Sequence, residues 1–98
     1  MNRQQAIDIL ASQTAELRQR FGVTRLALFG SVARDESTST SDLDLLVEFD
    51  RPITLFDLVA VQQRLEQLLG VPKVDLVLRD CIYPELKASI LAEAIDVV

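Results

Sequence analysis

Residues 30–49 read GSVARDESTSTSDLDLLVEF, and this stretch decides the fold prediction. It follows the short apolar run 25–29, and its own segment 43–49 is nearly continuous in hydrophobicity after Asp44. Strands with that pattern are usually covered on both faces of a sheet. The stretch therefore predicts two strands joined by a polar connection, the first half of which can form one or two helical turns.

Helical patterns lie on both sides of this stretch. Apolar residues recur at three- and four-residue spacing over 2–21, and Gly22 supplies the left-handed residue that commonly ends a helix. A second helix begins at Thr54, where Asp57 three residues later completes a capping-box pattern, and it stops at Gly70.

A third strand and a final helix complete the chain. Residues 73–79 alternate, with Val74, Leu76 and Leu78 on one face and Asp75, Val77 and Arg79 on the other. Pro84 suits the first turn of a last helix that carries Leu86, Ile90, Leu91 and Ile95, and Cys81 and Tyr83 are interpreted as packing residues before it. The element order predicts an α/β fold of the α+β kind, a small mixed β-sheet with helices packed on it.

Composition limits the function. The 98 residues predict a single domain over 1–98, and the 10 basic and 15 acidic residues give a net charge of −5, which argues against direct binding to nucleic acid. Histidine is absent, which excludes Ser-His-Asp and Cys-His catalysis and histidine-ligated zinc. Cys81 is the only cysteine, so an internal disulfide is also excluded. No apolar run approaches the ~20 residues that span a bilayer, and the N-terminus lacks a signal-peptide core, so we expect no membrane association and a cytoplasmic location.

Three aspartates are candidate metal ligands. Asp42 and Asp44 flank Leu43, so strand alternation projects both carboxylates from one face, where they repel each other unless a cation lies between them. A hard divalent ion such as Mg²⁺ takes oxygen ligands of this kind. If the third strand lies beside the second, Asp75 completes a cluster able to hold two ions roughly 4 Å apart. The alternatives are that the first two are polar residues at a strand start and that Asp75 pairs with Lys73 or Arg79.

Gly30 and Ser31 are candidate phosphate-binding residues. Glycine lets an anion approach the backbone, the turn after it exposes amide hydrogens at a helix start, and the serine hydroxyl adds a donor. Arg34 follows one turn later and can reach the same phosphates. The alternatives are that Ser31 is only a helix N-cap and that Arg34 is a surface ion-pair partner.

These residues carry a family resemblance. Gly30-Ser31, ten intervening residues and then Asp42-Leu43-Asp44 match the G-S-x10-D-x-D signature of the polymerase-β-type nucleotidyltransferase superfamily. The extended stretch 30–49, followed by VDLV around Asp75, most resembles the minimal nucleotidyltransferases, the antitoxin half of HEPN/MNT toxin–antitoxin pairs. The likeness runs from about Val23 to Ile95.

The resemblance implies an activity and a set of roles. Ser31 and the backbone after Gly30 would hold the β- and γ-phosphates of ATP. Asp42 and Asp44 would ligate two Mg²⁺ ions, and Asp75 would ligate the catalytic one. In that family AMP is transferred to a tyrosine hydroxyl of a partner HEPN ribonuclease, so the resemblance also implies a HEPN-type toxin as partner in a hetero-oligomer.

One departure from the family and two other functions stay open. The family often has glycine after the arginine, where this chain has Asp35, which we expect to face solvent.

One alternative is a non-catalytic antitoxin that neutralises its partner by binding, for which the 49% hydrophobic content would supply an interface. The other is a nucleotidyltransferase acting on a small molecule or an RNA end, which the acidic charge and short length disfavour.

Overall fold

The computed structural model describes residues 2–34 and 42–97, whose strands form one four-stranded mixed sheet. The strands are β1 (Val23–Phe29), β2 (Leu43–Phe49), β3 (Val74–Leu78) and β4 (Ile95–Asp96). Their spatial order is β3-β2-β1-β4. Strand β1 runs antiparallel to both β2 and β4, and β2 runs parallel to β3. The predicted small mixed sheet is confirmed, and β2 covers the predicted range.

Helical segments connect and cover these strands. They are α1 (Arg3–Ser12), α2 (Thr14–Glu16), a π-helical turn (Leu17–Phe21), α3 (Gly30–Ala33), α4 (Leu55–Leu69), a 3₁₀ turn (Arg79–Cys81) and α5 (Pro84–Glu93). Within the described ranges, no helix is long and apolar enough to cross a membrane.

The first helix is interrupted, although the sequence predicts one helix over 2–21. Gln13 leaves helical geometry at φ −112° and ψ 10°. On either side of it, the Ser12 hydroxyl donates to the Ile9 carbonyl at 2.7 Å and the Thr14 hydroxyl donates to the Ala11 carbonyl at 3.4 Å. Such side-chain bonds to the preceding turn compete with the helical ladder.

The predicted ends of α4 are confirmed. The Thr54 hydroxyl accepts from the Asp57 amide at 3.3 Å, and the Thr54 amide donates to the Asp57 carboxylate at 2.8 Å, which is a reciprocal capping box. Gly70 closes the helix in the left-handed conformation at φ 65°. These two local signals fix the helix that covers one face of the sheet.

The sheet is covered on both faces, as the hydrophobicity of β2 predicts. Leu45 and Val47 belong to the larger core with residues of α1 and α4. Leu46 faces the other way and joins a smaller core against α5. Because side chains alternate along a strand, Asp44 shares the face of Leu46. Asp44 therefore lies on the α5 side of the sheet.

The end of the chain corrects the prediction that Ile95 belongs to the last helix. Helix α5 stops at Glu93 because Ala94 is extended, with φ −66° and ψ 137°. Ile95 instead begins β4 and pairs with Leu28 of β1, and the Val97 amide donates to the Leu26 carbonyl at 2.9 Å. These bonds satisfy backbone groups along the outer edge of β1.

The interpretation of Cys81 and Tyr83 as packing residues is also wrong. Cys81 is exposed and Tyr83 is 73% exposed. Ile82, which lies between them, takes the packing role against the smaller core. Cys81 ends the 3₁₀ turn and Tyr83 is the N-cap of α5, and both are exposed at these positions.

Candidate active site

The turn between β1 and α3 lies directly against the Asp44 side chain. Gly30 has φ +77°, a conformation that residues with a Cβ rarely adopt. A Cβ placed on Gly30 would lie 2.9 Å from Asp44 Cγ and would overlap the carboxylate oxygen Oδ2. Glycine at this position therefore allows the backbone of the glycine-serine turn and the second aspartate of the D-x-D motif to touch.

The sheet register brings Asp75 beside Asp44. The two residues are direct partners in the parallel β2–β3 ladder, and Phe29 is the partner of Asp44 on the β1 side. Neighbouring residues in a ladder project from the same face, so the two aspartates share the α5 face of the sheet. The prediction that Asp75 joins the other aspartates depended on the third strand lying beside the second, and this adjacency of β2 and β3 is confirmed. Asp42 precedes β2 and is exposed, with Leu43 buried in the larger core.

Asp44 lies in the electrostatic field of the other two candidate carboxylates. Burial raises the pKa of Asp44 above its ordinary value, and the charges of Asp75, Asp42 and Glu93 raise it further. The Arg34 guanidinium opposes this shift and lowers the pKa. Asp44 thus lies in a field with more negative than positive charge, and a bound cation would favour its ionised form.

The aspartate side chains are not already arranged around a common point. Among the described residues, no three Asp, Glu, Cys or His side chains converge closely enough to hold a metal ion. Asp75 Oδ1 is 3.4 Å from Lys73 Nζ, which is one of the alternative contacts that the sequence allowed. The Asp75 side chain is 39% exposed and lies beside Asp44 in the ladder of β2 and β3.

The phosphate-binding candidates sit on α3. Ser31 is the second residue of that helix, and Phe29 holds the N-cap position, so the alternative in which Ser31 is the N-cap is wrong. Arg34 caps the other end, and its amide donates to the Gly30 carbonyl at 3.1 Å. The Arg34 side chain is 46% exposed, and its Nη1 donates to Glu93 Oε2 at 2.8 Å.

Glu93 is a site residue that the sequence analysis missed. Its Oε1 accepts from the Gly30 amide at 3.0 Å while its Oε2 binds Arg34, so one carboxylate joins two of the candidate phosphate-binding residues. The Arg34 hydrogen bond and then the Gly30 amide lower the pKa of Glu93, which keeps it ionised. The one signal in the sequence is an acidic residue in the last turn of a helix, where the helix dipole disfavours negative charge.

The position at which this chain departs from the family lies outside the described residues. Our expectation that Asp35 faces solvent falls in the segment 35–41, so it stays a prediction.

Comparison with known proteins identifies the family of this fold and site. The profile of the nucleotidyltransferase domain matches residues 10–97. The chain belongs to the nucleotidyltransferase domain family. This match confirms the resemblance carried by the glycine-serine turn and the D-x-D motif, and it makes the chain a nucleotidyltransferase.

The chain is also similar to curated proteins that are named as protein adenylyltransferases. "Putative protein adenylyltransferase MJ0435" of Methanocaldococcus jannaschii is 47% identical over 80% of this chain and 83% of the relative. "Protein adenylyltransferase MntA" of Thermococcus cleftensis is 37% identical over 91% of this chain and 89% of the relative.

Two solved structures share the fold of this nucleotidyltransferase. One, described as "Structure of putative minimal nucleotidyltransferase", is 40% identical with a TM-score of 0.79 and covers 97% of this chain and 95% of its own. The other, "Crystal structure of the toxin-antitoxin with AMP-PNP", has a TM-score of 0.72 at 19% identity over 90% of this chain and 72% of its own, and this likeness concerns the fold alone.

The donor atoms of the three aspartates suit a magnesium ion, although their side chains do not converge on one point in this structure. Mg²⁺ takes oxygen ligands and retains positions for phosphate oxygens and water, and the three aspartates offer only carboxylate oxygens. Burial, together with the charges of Asp75 and Asp42, raises the pKa of Asp44, and a divalent cation at this position would favour the ionised carboxylate.

Proposed function

We propose that this nucleotidyltransferase is an antitoxin that transfers AMP from ATP to a tyrosine hydroxyl of a partner HEPN ribonuclease toxin, with which it forms a hetero-oligomer. The observation that carries the proposal is the position of Asp44, which touches the Gly30 turn on one side and pairs with Asp75 on the other. The candidate phosphate-binding turn and the aspartates of two neighbouring strands therefore lie next to one another. Relatives named as protein adenylyltransferases and a toxin–antitoxin complex of the same fold support the choice of reaction.

The aspartates would hold the metal. We assign Asp42 and Asp44 as ligands of two Mg²⁺ ions and Asp75 as a ligand of the catalytic one. When bound, Mg²⁺ would lower the pKa of the acceptor hydroxyl and neutralise charge that develops on the phosphates.

The turn at the end of β1 would hold the rest of the triphosphate. The Ser31 hydroxyl and the backbone amides after Gly30 donate to the β- and γ-phosphates in this proposal. Arg34, one turn further along the same segment, adds a guanidinium that suits phosphate oxygens. These donors fix the α-phosphorus beside the aspartates, so that positioning supplies much of the catalysis.

The transfer itself needs one bond made and one broken. The tyrosine oxygen attacks the α-phosphorus in line, and the bond from that phosphorus to the bridging oxygen of pyrophosphate breaks, with its electron pair leaving on pyrophosphate. Asp75 orients the tyrosine hydroxyl or accepts its proton, because it comes from a strand separate from the D-x-D motif and lies beside Asp44 in the sheet. No protein residue becomes covalently modified during the transfer, so the absence of histidine is no obstacle.

Mass spectrometry of the partner tests this proposal. The chain is incubated with ATP, Mg²⁺ and the protein encoded by the neighbouring gene where that protein is a HEPN-type ribonuclease, and the intact mass and tryptic peptides of the ribonuclease are measured. We expect the mass of one or more adenylyl groups on a tyrosine peptide. Asp44→Asn should abolish this addition, whereas Asp8→Asn, the same chemical change on an exposed position of α1, should retain it.

A second candidate, neutralisation by binding without chemistry, is favoured by exposed apolar side chains. Leu55 is 72% exposed and Phe56 is 86% exposed on the first turn of α4. Apolar groups exposed to this extent are typical of surfaces that bind another protein. A ribonuclease that is inhibited but carries no added mass would support this candidate and contradict the transferase proposal.

A further inference from the structure

The Glu93 carboxylate holds two donors of the candidate phosphate-binding turn at the same time. Oε1 accepts from the Gly30 amide at 3.0 Å, and Oε2 accepts from Arg34 Nη1 at 2.8 Å. Glu93 is the last residue of α5, and Gly30 and Arg34 are the first residue and the C-cap of α3. The contact therefore links the helix that covers the site face to the turn at its centre.

A carboxylate bound in this way makes the same kinds of contact as a phosphate group. Both are anions that accept from backbone amides and from guanidinium groups, and either can satisfy the same donors. We propose that Glu93 is an internal competitor of the nucleotide, occupying part of the phosphate position until ATP displaces it. This inference rests on the proposed function, because that function assigns to the phosphates Arg34 and the amides that directly follow the Gly30 amide bound by Glu93.

Displacement of Glu93 requires only a side-chain movement. The backbone after Glu93 is held, because the Ala94 amide donates to the Ile90 carbonyl and Ile95 pairs with Leu28, and the backbone before it belongs to helix α5. The Glu93 side chain itself is 30% exposed, so its carboxylate can turn from the site toward water. Helix α5 then keeps its place on the sheet while the donors pass to the phosphates.

Glu93 also adds negative charge to the metal site. Burial is the main cause that raises the pKa of Asp44, and the charge of Glu93 adds to it in the same direction as the charges of Asp75 and Asp42. A triphosphate that brings its own magnesium replaces this carboxylate with a group whose charge is already partly neutralised. The exchange thus becomes most favourable when nucleotide and metal arrive together.

Calorimetric titration of the free protein tests the competition. Mg-ATP and inorganic tripolyphosphate are titrated into the wild type, Glu93→Gln, Glu93→Ala and the control Glu85→Gln, which makes the same charge change on an exposed position of α5. Because a partly exposed ion pair contributes little, we expect both Glu93 variants to bind the two ligands about 2- to 5-fold more tightly than wild type. The control should bind as wild type does.

The possible results separate this inference from the proposed function. Unchanged or weaker binding by the Glu93 variants, with clear binding by wild type, would overturn the competition and leave the transferase proposal standing. No binding of Mg-ATP by any of the proteins would overturn both.

A second measurement needs no variant. The side-chain carboxyl resonance of Glu93 is followed by NMR in wild-type protein labelled with ¹³C-glutamate and titrated with tripolyphosphate. We expect it to move to the position of a solvated glutamate as the ligand saturates. A resonance that stays fixed at saturation would show that Glu93 keeps its contacts and would overturn the inference.

Discussion

Replacing Gly30 with alanine tests the contact on which the site depends. At φ +77° an alanine costs about 1–2 kcal/mol of folding free energy from backbone conformation alone. The new Cβ would also lie 2.9 Å from Asp44 Cγ, and overpacking of this kind costs about 1–3 kcal/mol more. We therefore expect Gly30→Ala to lose about 2–5 kcal/mol of the free energy of unfolding.

Gly70 provides a matched control for the backbone contribution. It has a similar φ of +65°, but a Cβ there would meet no atom within 4 Å. Gly70→Ala should lose only the conformational part, so the two variants should differ by at least about 1 kcal/mol, or about 4 °C or more in Tm for a domain of this size. Urea and thermal unfolding followed by circular dichroism measure both.

A double-mutant cycle assigns the difference to Asp44. Asp44→Ala removes Oδ2 and Cγ and leaves Asp44 Cβ at 3.2 Å as the remaining close atom. In that background Gly30→Ala should cost less, with a coupling of about 1 kcal/mol. Equal losses in Gly30→Ala and Gly70→Ala, together with additive effects in the cycle, would refute the contact between the turn and the carboxylate.

Three further predictions follow from described contacts. Because the pKa of Asp44 is raised above its ordinary value of 3.8, its ionisation favours the unfolded chain, so stability is lost as pH rises through the raised pKa. In magnesium-free buffer at pH 7, Asp44→Asn should therefore unfold at a higher temperature than wild type, and the difference in Tm should shrink in acid. A variant with a lower Tm than wild type at pH 7 would contradict the raised pKa of Asp44. Thr54→Ala should lose about 1 kcal/mol in urea unfolding because it removes the acceptor of the Asp57 amide, and an unchanged midpoint would rule out the capping box. Chelation of Mg²⁺ should stop AMP transfer and leave the chain folded, because the cores of the described residues are apolar. Tm should fall only slightly, since a cation that binds the folded state alone stabilises it. Transfer that continues in excess chelator would contradict the metal assignment.

The sequence correctly predicted the strands and helix ends that depend on residues close together in the chain. Segment 43–49 is a strand in both the sequence and the structure, because its apolar run has no polar break between Asp44 and Glu48. The ends of α4 follow from Thr54 and Gly70 for the same reason. Side-chain alternation also placed Asp75 on the face opposite Val74, which the packing of Val74 in the larger core confirms.

Contacts between distant parts of the chain were not predictable from such patterns. Strand β4 exists because the outer edge of β1 offers unpaired backbone groups, and nothing near Ile95 in the sequence reports that edge. The sequence likewise suggested that Asp75 lies near Asp44 without giving their one-to-one register. Glu93 reaches Gly30 across 63 positions of the chain, so only the fold reveals that it belongs to the site.

The outer edge of β3 has a consequence for self-association. This five-residue strand is bounded by Lys73 and Arg79 and lies at the end of the strand order. If a second copy added its own β3 there in antiparallel fashion about Leu76, Lys73 of each copy would face Arg79 of the other. Like charges directly opposite each other destabilise a strand pair, so the cations at both ends discourage chains from joining through this edge.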